Sequence, residues 1–300
     1  MNDRLAARLE AEVRGEILRD EPMARHTSLK VGGPADFFVT PADPDDMRVL
    51  LALLAETGTP WLAVGGGYNL LIRDGGFRGV VISPARMTTL ERLEGNRAGV
   101  GAGVANGRLT VFLRDEGLAG LEFLCGIPGT VGGALAMNAG AHGNAILDRV
   151  EEILTIGTAG FERKGRELFD YGYRYLRLQP GEIIIGATFV LDPADPRRIG
   201  ERIDGYRAHR AASQQVGFPN AGSFFKNPPG QAAWRLIEDA GLRGARVGGA
   251  QVSEVHANFL VNRGGATAAD FLALAARIKE AVKLKSGTAL EEEVNIFGDE

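Results

Sequence analysis

The chain has 300 residues, with 34 basic and 38 acidic side chains for a formal net charge of −4, and 42 glycines, about twice the usual share. A composition 45% hydrophobic and 24% charged excludes a disordered chain, and 13 prolines with no glycine period of three exclude a collagen-like repeat. The acidic balance excludes a dedicated nucleic-acid binder, and the lone Cys125 requires no oxidising compartment.

Near the N-terminus Asp3, Arg4, Arg8, Glu10 and Glu12 interrupt the run where a signal peptide needs an apolar core, while Leu5, Leu9 and Val13 fit one helix face; a cytoplasmic protein is expected. A strand is expected at 35–39, then a helix capped by Asp43 with Pro44 at its first position. Met47, Leu50, Leu51 and Leu54 form its buried face, and Gly58 ends it. A short strand, 61–64, runs into Gly65-Gly66-Gly67, and another follows the turn 74–76 at 79–83. A strand at 98–104 leads to a helix begun by Asn106, with Leu109, Phe112 and Leu113 turned inward.

Between Glu122 and Asp148 there is no charged residue, but the glycines, Pro128, Asn138 and Asn144 within that stretch rule out a membrane span. Strands at 150–156 and 183–191 flank a polar segment, and Asp192-Pro-Ala-Asp-Pro196 marks an expected domain boundary. The last hundred residues read as a helix at 231–240 closed by Gly241, a strand at 258–262, and a helix from the Thr267/Asp270 capping box to Gly287. A final strand is expected at 289–297.

Two glycine clusters stand out chemically. Gly65-Gly66-Gly67-Tyr68-Asn69 directly follows a strand, so its backbone N–H groups could approach a phosphate; a tight structural turn accounts for it equally well. Gly126-Ile-Pro-Gly-Thr-Val-Gly-Gly133 with Asn138-Ala-Gly-Ala-His-Gly143 fits either a ligand-facing loop or a close helix–strand packing site. No Walker motif is present, and Gly101-x-Gly103 lacks the third Rossmann glycine. The dispersed His26, His142, His209 and His256 suggest no metal site.

Taken with Gly222-Ser-Phe-Phe-Lys-Asn-Pro228, Ala240-Gly-Leu-Arg-Gly244, His256-Ala-Asn-Phe259 and Leu290-Glu-Glu-Glu-Val294, these clusters resemble the UDP-N-acetylenolpyruvoylglucosamine reductase family, in its shorter second type, from about Arg25 to Gly298. The resemblance implies an α+β fold: a two-subdomain FAD-binding module of the vanillyl-alcohol-oxidase and p-cresol-methylhydroxylase type plus a C-terminal α+β substrate-binding domain. It divides the chain into 1–62 with 289–300, 63–197 and 198–288.

It further implies non-covalent FAD, with NADPH as reducing co-substrate, and a cytoplasmic step of peptidoglycan precursor synthesis. The catalytic residues it implies are Arg174, Ser223 as proton donor, and Glu293 rather than Glu291. Cofactor contacts fall on Gly65, Gly66, Gly67, Tyr68, Asn69, Leu70, Gly126, Ile127, Pro128, Gly129, Thr130, Gly132, Gly133, Asn138, Gly140 and His142. Substrate contacts fall on Tyr173, Lys226, Asn227 and His256. Partners are then small molecules, with no nucleic acid and no membrane insertion, and a monomer is expected.

Apart from the resemblance, Ser223 reads as a turn or cap residue, Arg174 as a surface cation and Glu293 as the outward face of an edge strand. The chain departs from the family pattern at Tyr68 and Leu176, each in place of a serine, and at His142, in place of a tyrosine. A flavin-linked alcohol oxidase and a non-catalytic nucleotide-sugar binder are the competing readings.

Overall fold

The computed structural model describes residues 2–214 and 216–300. The chain folds into two compact units, the first holding residues 1–19, 37–66 and 79–209, the second 20–36, 67–78 and 210–300. This grouping differs from the three-part division expected above. Residues 289–300 group with 210–288, and the helix Pro196–Gln214 begins in the first unit and ends in the second.

Helix α1 (Asn2–Glu12) and helix α2 (Pro44–Thr57) cover one core of the first unit. Leu9, Met47, Leu50 and Leu54 are buried there with Phe37, Val80, Ile82 and Ile183. Asp43 caps α2 as expected, its carboxylate accepting from the Asp46 amide at 2.9 Å, and Gly58 closes the helix in the left-handed conformation at φ 63°. Trp61–Ala63 pairs in parallel with Val80–Ile82, so the strand feeding the first glycine cluster is held from one side by a fully buried strand.

The second core of the unit lies on a five-stranded antiparallel sheet, in the order 160–165, 150–157, 183–190, 97–101, 90–93. Its apolar face, with Val100, Ile153, Ile184 and Phe189, packs with Leu109 and Leu113 of helix α3 (Asn106–Asp115) and with Val131 and Leu135 of the short helix α4 (Val131–Ala136). The strand expected at 98–104 stops at Gly101, and Asn106 is not the cap of α3. Ala105 holds that position, and the Asn106 side chain is buried instead, donating to the Ile127 carbonyl at 3.0 Å. Helix α5 (Pro196–Gln214) carries little sequence signal because, among its described residues, Ile199 and Ile203 are the fully buried apolar side chains, against Ala119, with Tyr206 half-buried.

The second unit is α+β. A sheet in the order 220–223, 259–262, 250–252, 246–247 carries helix α6 (Ala233–Asp239) and helix α7 (Ala268–Ser286). Thr267 and Asp270 form the expected capping box, and Asp74 adds to it, its two oxygens accepting from the Ala268 and Ala269 amides at 2.8 and 2.9 Å. The final strand is shorter than expected. Only Asn295–Phe297 is strand, paired in parallel with Leu70–Ile72, and the acidic run before it makes a single bridge, Phe225 to Glu292.

Candidate active site

Within the first unit the two glycine clusters meet. A Cβ on Gly65 would stand 2.7 Å from Thr130 Oγ1 and 3.6 Å from the Gly133 nitrogen, so the absence of a side chain at 65 is what lets the loop lie against the first turn of α4. Thr130 precedes α4 without capping it, and its Oγ1 is buried with no hydrogen-bond partner. An uncapped helix start beside an exposed glycine pair fits the pyrophosphate of FAD, which takes N–H and O–H donors.

The remainder of the second cluster is held tightly. A Cβ on Gly132 would sit 2.8 Å from Ala102 Cβ, and one on Gly140 2.6 Å from the Asn144 carbonyl. Gly129 has φ 114° and its carbonyl accepts from the Asn106 amide, while Asn106 also fixes Ile127. Gly132 and Gly140 are therefore close-packing positions, and Gly65 lies against the Thr130 side chain.

Asn138, His142 and Arg174 are three of five non-glycine residues at positive φ among the described residues, at 39°, 55° and 64°. Such strain persists where surrounding structure over-determines it. Asn138 supplies part of that structure, donating from Nδ2 to the Gly172 carbonyl at 2.9 Å and accepting at Oδ1 from the Leu147 amide at 3.3 Å. Gly172 and Tyr175 pair across a two-residue turn whose second residue is Arg174. The Arg174 Nη1 donates to the Gly140 carbonyl at 3.3 Å, and its guanidinium lies 5.2 Å from the Tyr173 ring. Arg174 is half-buried and anchored to the glycine region, so the bland reading as one more surface cation does not describe it. Tyr173 is 55% exposed. Exposed His142 stacks on Tyr206 with ring centroids 4.6 Å apart and meets His209 edge-on at 5.0 Å.

In the second unit the segment from Ser223 to Lys226 runs beside the acidic run. The Glu293 amide donates to the Phe224 carbonyl at 2.8 Å and the Lys226 amide to the Glu291 carbonyl at 2.9 Å. Ser223 and Glu293 are thereby brought to neighbouring positions on adjacent backbones. The first glycine cluster ends here too, because Asn69 donates from Nδ2 to the Glu293 carbonyl at 3.1 Å and its own carbonyl accepts from Asn295. The three successive glutamates are used differently: Glu291 pairs with Lys226 at 3.4 Å, Glu292 with Lys279 of α7 at 3.0 Å, and Glu293 lies one residue further, against Phe224.

Asn258 escapes sequence reasoning. Its side chain is buried and grips Phe225 on both sides, accepting from the amide at 3.0 Å and donating to the carbonyl at 2.8 Å, while its own carbonyl accepts from Phe224. Phe224 and Phe225 are fully buried beneath it. The only signal for it is its place in the His-Ala-Asn-Phe motif. Asn227 turns out to be engaged structurally, its Oδ1 accepting from the Ala233 amide at the start of α6 at 3.0 Å. His256 packs on Phe259 with centroids 4.5 Å apart, and burial pushes its imidazole below the ordinary pKa. Among the described residues no cluster of His, Cys, Asp and Glu could hold a metal ion, and no helix is long and apolar enough to cross a membrane.

Residues 35–159 match the family model described as FAD binding domain, and residues 214–297 match the model of the UDP-N-acetylenolpyruvoylglucosamine reductase C-terminal domain. The UDP-N-acetylenolpyruvoylglucosamine reductase of Geobacter sulfurreducens is 93% identical over the whole of both chains, and that of Geobacter metallireducens is 74% identical over the same extent. The crystal structure of UDP-N-acetylenolpyruvylglucosamine reductase from Thermus caldophilus superposes with a TM-score of 0.81 at 34% identity, covering 95% of this chain and 99% of that one. The chain belongs to the UDP-N-acetylenolpyruvoylglucosamine reductase family.

Proposed function

We propose that the chain catalyses the NADPH-dependent reduction of UDP-N-acetylenolpyruvoylglucosamine to UDP-N-acetylmuramate, a step toward peptidoglycan, as a cytoplasmic monomer acting on small molecules. The observation that carries this reading is the backbone ladder that sets Ser223 beside the segment of Glu293, in a chain whose glycine cradle suits FAD. FAD held by the glycine clusters would supply the redox chemistry, hydride transfer from NADPH to the enolpyruvyl double bond.

The protein's part is the charge and the proton. Hydride addition leaves negative charge on the substrate carbon that bears the carboxylate. Arg174, a permanent cation with a planar fork of donors, stabilises that charge, and Glu293 assists as a hydrogen-bond donor to the carboxylate while it keeps its proton. Ser223 then gives its hydroxyl proton to the carbon. A hydroxyl is a weak acid, but the basic enolate carbon accepts from it when the two are in line.

Gly65, Gly66, Gly67, Tyr68, Asn69, Leu70, Gly126, Ile127, Pro128, Gly129, Thr130, Gly132, Gly133, Asn138, Gly140 and His142 form the cofactor set, with Thr130 and Gly65 toward the pyrophosphate. Tyr173, Lys226 and His256 are assigned to substrate, and Asn227 through the turn that it holds in place. Two spectra test the whole reading. The purified yellow protein is expected to bleach with NADPH under nitrogen and to regain its flavin absorbance on adding the enolpyruvyl sugar nucleotide. Absence of bound FAD, or failure of NADPH to bleach it under nitrogen, would overturn it, the second outcome favouring an alcohol oxidase.

A further inference from the structure

The hairpin that carries Arg174 holds it in a conformation that the turn itself disfavours. Tyr171 pairs with Leu176 and Gly172 with Tyr175, which leaves Tyr173 and Arg174 as the two turn residues. A two-residue hairpin turn ordinarily takes positive φ at its first residue or at both, whereas here positive φ falls on the second, at 64°, and not on Tyr173. That second place favours glycine, and an arginine stays there only while its surroundings impose the geometry.

Two sets of contacts impose it, all within the first unit. From the glycine region, the Asn138 side chain donates to the Gly172 carbonyl at 2.9 Å, and the Gly140 carbonyl accepts from Arg174 Nη1 at 3.3 Å. From the second strand of the hairpin, the Tyr175 ring lies across the bare face of Gly172: a Cβ there would stand 2.7 Å from the ring Cε1 and 3.0 Å from Cζ. The Tyr175 hydroxyl donates to the Asp170 carboxylate at 3.1 Å, the same carboxylate pairs with Arg177 at 3.0 Å, and the Arg177 amide donates to the Asp170 carbonyl at 2.9 Å. Asp170 and Arg177 are exposed, so their ion pair and its link to the phenol contribute little. The ring against Gly172 is what remains to hold the turn from that side.

We propose that Tyr175 is a positioning residue for Arg174: its ring, seated where a side chain on Gly172 would go, holds the turn so that the guanidinium stays at the Gly140 carbonyl. Tyr175 acts through Arg174 and not on the reacting atoms. Glycine is then required at 172 for the ring rather than for its own backbone, because its φ lies outside the positive range that disfavours other residues. The inference rests on the reading of Arg174 as the cation that stabilises the developing charge, and an Arg174→Ala variant separates the two.

Reoxidation of the NADPH-reduced holoenzyme by saturating enolpyruvyl sugar nucleotide is followed at the flavin band by stopped flow. Tyr175→Leu is expected to slow it at least fivefold with flavin content and thermal midpoint unchanged, and Tyr175→Phe, which keeps the ring, to stay within twofold of the parent. Arg174→Ala is expected to slow it more, and adding Tyr175→Leu to Arg174→Ala to change nothing further. A loss below fivefold in Tyr175→Leu, a comparable loss in Tyr175→Phe, or multiplication of the two losses in the double variant overturns the proposal. Should Tyr175→Leu fold poorly, Gly172→Ala leaves Tyr175 in the chain while its Cβ displaces the ring; it is expected to reproduce the fivefold loss, and a smaller loss overturns the proposal. Reoxidation of Arg174→Ala at the parental rate would instead remove Arg174 from the chemistry, and the inference would fall with the reading that supports it.

Discussion

The two units hold their candidate functional residues by opposite means. In the first, the glycine region exposes backbone: its geometry comes from the absence of Cβ atoms at Gly65, Gly132 and Gly140 and from strained residues locked by Asn138. In the second, Ser223 and Glu293 are side chains carried on two hydrogen-bonded segments over buried Phe224 and Phe225. A cofactor cradle needs close approach, which only missing side chains allow, whereas proton delivery needs one hydroxyl at one place. The first unit is therefore sensitive to added atoms and the second to removed ones.

The largest effect is expected from removing one oxygen. Ser223→Ala should slow flavin reoxidation by the enolpyruvyl substrate by about 10²–10⁴-fold, the usual worth of a positioned acid, and leave bleaching by NADPH unchanged. Stopped-flow traces of the two half-reactions separate these, and normal reoxidation would remove Ser223 from the chemistry.

Next comes the support under that serine. Asn258→Ala leaves the Phe225 amide and carbonyl buried without their partner, and each unmatched group costs about 1–3 kcal/mol, so a loss of about 2–6 kcal/mol is expected. Urea unfolding measures it. A loss under about 1 kcal/mol would mean that water enters and replaces the amide, and that the segment is looser than its hydrogen bonds imply.

The corresponding probe of the first unit adds an atom. Gly132→Ala gains up to about 1 kcal/mol of helix propensity, but its Cβ would meet Ala102 Cβ at 2.8 Å in a filled core, where overpacking costs about 1–3 kcal/mol. Overpacking wins. The variant should be less stable and retain less FAD, read from the ratio of flavin to protein absorbance; full FAD retention would show that the cradle does not depend on this contact.

The same contrast explains what the sequence discloses. Missing side chains concentrate as a compositional signal, so both glycine clusters stand out in the bare sequence as sites of close approach. Helix α2 and helix α7 are legible because their caps and apolar faces agree. Helix α5 is not, since among its described residues Ile199 and Ile203 are the fully buried apolar ones, and the acidic run reads as strand although only Asn295–Phe297 is one. Ser223, Glu293 and Arg174 look ordinary in isolation. The partners that set them apart, Phe224 for Glu293, Asn258 for Phe225 and Gly140 for Arg174, are distant in sequence or meaningful only through the fold.

The smallest effect concerns a side chain whose environment, not its identity, matters. Burial holds the His256 imidazole below its ordinary value of 6.5, so the unfolded chain takes up this proton at a higher pH than the native one. The corresponding stability is present above about pH 6.5, declines as pH falls through that value, and levels off below the lowered native pKa. His256→Phe should flatten the unfolding free energy between about pH 5 and pH 7 relative to the parent, the other histidines cancelling in the difference. Because the ring packs on Phe259 and lies 6.4 Å from Trp234, phenylalanine keeps the aromatic contact, and a slope unchanged by the substitution would show that the imidazole titrates as it does in the open chain.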